Sequence, residues 1–116
     1  MKAKIIIEGK TDTKLRDFNR NEYGFSISFE VLQDNDLVLD LTGKTVKFKV
    51  KEINSITNKV NSVCSITNAT SGLCQYTVAS VDFNVSGVYD GELEITSGSN
   101  EISFKLGRFR ILDDLP

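Results

Sequence analysis

Apolar and polar residues alternate with a period of two along most of the chain. Phe25, Ile27, Phe29 and Val31 alternate with Ser26, Ser28 and Glu30, and Val46, Phe48 and Val50 alternate with Thr45, Lys47, Lys49 and Lys51. In an extended chain successive side chains point to opposite faces, so each stretch predicts a strand with one apolar face for a core and one polar face for water. Cys64 and Ile66 share one parity, as do Cys74, Tyr76 and Val78, and the turn formers Thr67 to Gly72 between them predict a hairpin. Tyr89, Leu93 and Ile95 continue the pattern, Ser97-Gly98-Ser99-Asn100 is a turn, and Ile102, Phe104 and Leu106 begin a return strand. Phe109 and Ile111 have the opposite parity, so a bulge at Gly107 is needed to keep them facing inward.

Ala3 to Glu8 is expected as an edge strand and Leu37 to Leu39 as a short one, which brings the count to seven or eight. Turn signals at such spacing predict an all-β fold, an immunoglobulin-like β-sandwich of mostly antiparallel strands. Helical periodicity is nearly absent, and Ser80 to Asn84 is expected to form a single turn capped by Ser80. Lys10 to Tyr23 is polar and mixed, which predicts a long exposed loop ordered against a partner. Residues 1–116 are thus expected to form one domain, with 1–23 the edge strand and exposed loop and 24–116 the sandwich core.

The chain has 116 residues, 40% hydrophobic and 26% charged, a size and composition at which one domain buries a sizeable core. A net charge of -2 with scattered lysines offers no basic face for nucleic acid. No stretch approaches the roughly 18 apolar residues of a membrane-spanning helix, and Met1 to Glu8 is too short an apolar run for a signal peptide. Cys64 and Cys74 are read as a reduced, buried pair, with a cross-strand disulfide the geometric alternative; two thiols without histidine fall short of a zinc site.

The absence of histidine removes the usual general base, so no hydrolase triad is expected and the chain is read as non-catalytic. Asp34, Asp36, Asp82, Asp90, Glu92 and Glu94 are read as solvated surface charge. Asp34-Asn35-Asp36 lacks the following glycine and distant glutamate of a calcium loop and is read as a turn, and no glycine-rich phosphate cradle follows a strand. No catalytic, metal or cofactor-binding residue is therefore assigned, and no cofactor is expected. Most of the ten aromatics fall on the inward parity. Phe18 and Tyr23, in the polar loop with Arg20, are the candidate partner-binding residues.

Asp40-Leu41-Thr42-Gly43-Lys44-Thr45-Val46-Lys47-Phe48 resembles the strand-entry motif of the N-terminal, immunoglobulin-like domain of siphophage baseplate upper proteins. Cys64 to Ala69 followed by Gly72 to Val78 is similar to the central hairpin of that family, Gly87 to Ile95 to its next strand, and Phe104 to Leu112 to its closing strand. The likeness covers residues 24 to 116. Gly87-Val88-Tyr89 also resembles a tyrosine corner, in which a tyrosine at the start of a strand bonds back to upstream backbone. Tyr89, Gly87 and Gly43 are accordingly read as structural.

The resemblance implies an anchor assembled around the phage tail tip, made in the bacterial host cytoplasm and resident in the virion. In the family, later segments carry receptor-binding proteins; no coiled coil or fibre sequence follows Leu112, so the anchoring role alone is expected of these residues. The expected function is a virion structural protein (baseplate, head fibre anchor or capsid decoration) acting through other virion proteins and as a homo-oligomer, without nucleic acid or membrane. The alternative is a carbohydrate-binding or adhesin-like immunoglobulin domain binding through its end loops.

Overall fold

The computed structural model describes residues 1–113; the last three residues of the expected sandwich segment, Pro116 among them, lie outside the described residues. Ten strands are found among the described residues: β1 (Lys2–Ile7), β2 (Lys10–Asp12), β3 (Phe18–Asn19), β4 (Ser26–Leu32), β5 (Thr45–Glu52), β6 (Asn58–Val63), β7 (Ser65–Asn68), β8 (Leu73–Thr77), β9 (Gly87–Ser97) and β10 (Asn100–Leu112). They form two five-stranded sheets, one in the order β2-β1-β4-β8-β7 and the other β3-β10-β9-β5-β6. Every strand pair is antiparallel except β3 with β10, which is parallel. The molecule is a β-sandwich.

The alternating stretches sit where their parity requires. Ile27, Phe29 and Val31 of β4 and Val46, Phe48 and Val50 of β5 are all fully buried, and the Phe29 and Phe48 rings meet across the sandwich at 5.7 Å. The bulge in β10 falls between Lys105 and Gly107, and beyond it Phe109 and Ile111 are buried beside Leu106. The bulge resets the parity within the 13-residue strand, so that Leu106, Phe109 and Ile111 all point inward, while Ile102 near its start is 46% exposed.

The ten strands exceed the seven or eight expected because three edge strands carry almost no alternating signal. In β6 only Val60 is buried, and β2 and β3 have three and two residues. Leu37 to Leu39 is corrected from a strand to a single bridge, Leu32 to Val38, with Leu37 exposed. Ser80 to Phe83 is a turn and no helix; the acceptor at its start is the Asp82 carboxylate, which takes the Ala79 N–H at 2.8 Å. A shared preference of serine and aspartate for local backbone donors is the reason the wrong residue was expected there.

Gly43 lies in the turn before β5 with φ of +73°, which a side chain would strain, and Lys44 N–H closes that turn on the Leu41 carbonyl at 3.0 Å. Asp40 accepts from both the amide and the hydroxyl of Thr42, at 2.9 and 2.6 Å, and this fixes the entry to β5.

Candidate interaction surfaces

Lys10 to Tyr23 was expected to be an exposed loop beside an edge strand, and the structure corrects both: β2 pairs with β1, which so lies inside its sheet, and β3 pairs with β10. Leu15 N–H donates to the Leu106 carbonyl at 2.9 Å, Arg20 N–H to Leu112 at 2.7 Å, Asn21 N–H to Phe83 at 2.8 Å and Gly24 N–H to Val78 at 2.8 Å. These bonds lay the segment across the end of the sandwich, and its apolar residues drop into the core. Leu15 and Phe18 are buried, and the Phe18 ring stacks on Phe83 at 4.6 Å and on Phe25 at 5.7 Å and meets Phe109 edge-on at 5.6 Å. Gly91 of β9 makes room, because a Cβ there would stand 2.3 Å from the Leu15 side chain.

Cations seal the outside of this cluster. The Arg16 guanidinium lies 4.4 Å from the Phe18 ring centroid, within cation–π range. Arg110 of β10 forks onto Asp17 through Nε and Nη2, at 3.2 and 2.9 Å, while its backbone N–H donates to the same carboxylate at 2.8 Å. That backbone bond first, and the guanidinium second, hold the Asp17 carboxyl below the usual carboxylate range.

Of the three residues predicted to meet a partner, Phe18 is thus withdrawn into the core. Arg20 is half-buried with Nη1 3.7 Å from the Asp113 carboxylate, and Tyr23 is 63% exposed. Arg20 and Tyr23 share the end of the sandwich formed by residues 20–25, the β5–β6 turn, the loop before β9 and the end of β10. Hydrogen bonds join these parts: Ile53 N–H to the Val88 carbonyl at 3.1 Å, Lys59 Nζ to Asn84 at 2.6 Å, and the Asn21–Phe83 and Arg20–Leu112 bonds already given.

This end carries exposed apolar side chains that sequence reasoning missed. Ile56 is fully exposed, Val81 62%, Val85 50% and Ile53 38%. The signal was present: Ile53 and Ile56 interrupt Glu52-Ile53-Asn54-Ser55-Ile56-Thr57-Asn58, a turn sequence otherwise polar. Ile56 therefore stands wholly in solvent and Ile53 partly so at this end of the sandwich. A shallow pocket beside it is lined by Glu52, Ser55, Thr57, Lys59, Val85 and Tyr89.

Tyr89 secures the loop behind that pocket. It is buried, its hydroxyl donates to the Val85 carbonyl at 2.8 Å, and Gly87, two residues before it, opens β9 with its Cα beside the Tyr89 ring. Burial raises the Tyr89 pKa.

The outer face of the second sheet is a charge ladder. Lys49, Glu92 and Lys105 stand abreast on β5, β9 and β10, and Lys51, Asp90 and Arg108 form the next rung. Arg108 Nε lies 3.0 Å from Asp90, and Lys49 pairs with Glu94. The Lys49 hydrogen bond lowers the Glu94 pKa, and the same bond raises that of Lys49.

Two carboxylates read as solvated are buried instead. Glu94 is 8% exposed beneath Lys49, and Asp82 is 6% exposed, accepting from the Tyr76 hydroxyl at 2.5 Å. Burial and the Asp82 contact push Tyr76 up to about 12. Asp34 pairs with the Met1 ammonium and Asp36 with Lys2, and the Asn35 side chain accepts from Leu37 N–H at 3.1 Å, which accounts for that run as a turn. Cys64 and Cys74 are both free and buried, and the Cys74 hydrogen bond together with burial pushes the Cys64 thiol up.

Compared with known proteins, the chain matches the family described as BppU N-terminal domain over residues 6–115. No curated protein matches it.

Proposed function

Because the chain belongs to the family of BppU N-terminal domains, those of the phage baseplate upper protein, it is a structural domain of a phage baseplate, and we propose that it works there as an anchoring module through protein–protein contacts. The family match over residues 6–115 carries this reading. The end surface with Tyr23, Ile53, Ile56, Val81 and Val85 supports it, because exposed apolar side chains set among polar turns have the make-up of a contact site. The role is structural, without catalysis, and its partners are other virion proteins and further copies of the chain. The carbohydrate-binding alternative has little to stand on, since Tyr23 alone among the aromatics of the described residues is exposed and sugar sites build on several.

Electron microscopy of virions labelled with an antibody against this chain tests the assignment. Label is expected at the tail tip; label on the capsid or on no part of the virion overturns it. Ile56→Asp changes a fully exposed residue and leaves folding within about 0.5 kcal/mol, so loss of incorporation in that variant assigns the end surface to docking.

A further inference from the structure

The two lateral sides of the sandwich are built differently. On one side the edge strands are β2 and β3, of three and two residues, and the stretch from Lys10 to Arg20 that forms them carries six charged residues: Lys10, Asp12, Lys14, Arg16, Asp17 and Arg20. Short, charged edges are the usual way to block strand addition. On the other side β6 and β7 follow one another through Cys64, so a single stretch from Asn58 to Asn68 forms the edge of both sheets. It has the same length as the first stretch, contains Lys59 as its one charge and has neither proline nor glycine. Among the described residues no strand pairs with its outer side.

We propose that β6 pairs antiparallel with β6 of a second copy of this chain, about a two-fold axis at Asn61. This deepens the assembly role proposed above and rests on it. Residues opposite one another in an antiparallel pair share a face. Val60 packs inward at 3% exposure and Ser62 lies opposite the buried Phe48, whereas Asn61 and Val63 face outward with Lys49 and Lys47. With the axis at Asn61, Val60 falls opposite Ser62 of the other copy, so the inward faces match, and Lys59, the bulge residue left without a β5 partner between Asn58 and Val60, falls opposite Val63. Val63 is 60% exposed in the single copy and gains the aliphatic stem of the facing lysine.

The charge pattern favours a second copy over an arbitrary strand. The residues at the axis are neutral, and the two Lys59 side chains stand four residues apart along the ladder, about 13 Å, beyond the ~8 Å screening length at physiological salt. Each Lys59 ammonium is also drawn toward the end loop by Asn84, at 2.6 Å. The pairing joins two second sheets into one continuous sheet and leaves the end surface free for other virion proteins.

Sedimentation equilibrium of the chain over a concentration series, with two variants, tests this. Dimerisation is expected for the unaltered chain. Asn61→Glu places like charges directly across the axis while facing Lys49 within its own sheet, and is expected to weaken the dimer roughly fivefold with an unchanged urea midpoint. Asn61→Cys brings two thiols to the axis within disulfide reach and is expected to give a covalent dimer under mild oxidation, whereas Thr11→Cys on the blunted edge is not. A chain that stays monomeric at the highest concentration overturns the proposal, as does a dimer indifferent to Asn61→Glu or an Asn61→Cys chain that cross-links no faster than the Thr11→Cys control. Tail-tip labelling together with a monomeric chain removes this edge and leaves the anchoring role standing.

Discussion

Phe18→Ala measures how far the segment between β2 and β4 belongs to the core. Phe18 is 1% exposed and touches Phe25, Phe83 and Phe109. Removing its ring forfeits a transfer term of about 1.5–3 kcal/mol. It also leaves a cavity of order 100 Å³, worth up to about 2 kcal/mol where the surroundings do not collapse. The sum, about 3–5 kcal/mol, is a large part of the stability of a small domain. Unfolding entropy near 2.1 cal/mol/K per residue gives about 0.24 kcal/mol/K for 116 residues, so the melting temperature falls by about 12–20 °C. Urea titration followed by fluorescence or circular dichroism, with the slope checked for two-state behaviour, gives the free energy directly. A substitution in a solvated loop costs less than about 0.5 kcal/mol. A measured cost below about 1 kcal/mol therefore refutes the packing described for Phe18, and with it the view that the segment is structural.

Tyr89→Phe removes the hydroxyl that bonds the Val85 carbonyl and is expected to cost about 1 kcal/mol by urea unfolding, whereas a cost near zero means that the bond does not hold the loop before β9. Asp17, Asp90 and Glu94 have lowered folded-state pKa values, so the stability they contribute is present above the unfolded carboxylate range and lost as pH falls through the folded values. Unfolding free energies are expected to drop below about pH 4, and Asp17→Asn should make that acid limb shallower. Lys49 and Tyr76 are raised, Tyr76 to about 12, so their contribution holds below about pH 10 and disappears as pH climbs through the folded values; Tyr76→Phe flattens that alkaline limb if the assignment is right. A thiol reagent is expected to leave Cys64 and Cys74 untouched in the folded chain and to titrate both in denaturant, and rapid native labelling would contradict their burial.

The sandwich was legible wherever one face of a strand is buried and the other is wet. β4, β5, β9 and the second half of β10 satisfy this, and even the bulge before Gly107 followed from a parity conflict between Leu106 and Phe109. β6 was not legible because an edge strand with Val60 as its sole buried residue leaves no alternation to find. The segment around Phe18 misled for another reason. Its composition is that of a loop, and what folds it inward are acceptors far along the chain, the carbonyls of Leu106, Leu112 and Phe83. Asp82 likewise gave no local sign that Tyr76 would bury it with a hydrogen bond. At the candidate surface Tyr23 could be picked out as an aromatic in a polar loop. Ile53 and Ile56 were passed over because a search for strands discounts apolar residues inside turns.

The same segment that conceals Phe18 also governs which surfaces remain available. By crossing the end of the sandwich and pairing β3 with the last residues of β10, it closes the edge that the long β10 would otherwise present, and Arg110 locks it there through Asp17. No further strand among the described residues pairs with the β6–β7 side, which is interrupted by bulges at Lys59 and Thr67. A chain so built has one blunted edge, one open edge and one apolar end, and contacts through the last two run in different directions. The proposed strand pairing at the open edge is directional and joins like to like, and it leaves the apolar side chains at the end for the different neighbour of the proposed anchoring role. The proposed anchoring role would use this division, since a unit that joins its own copies and also a dissimilar neighbour needs two surfaces that do not compete.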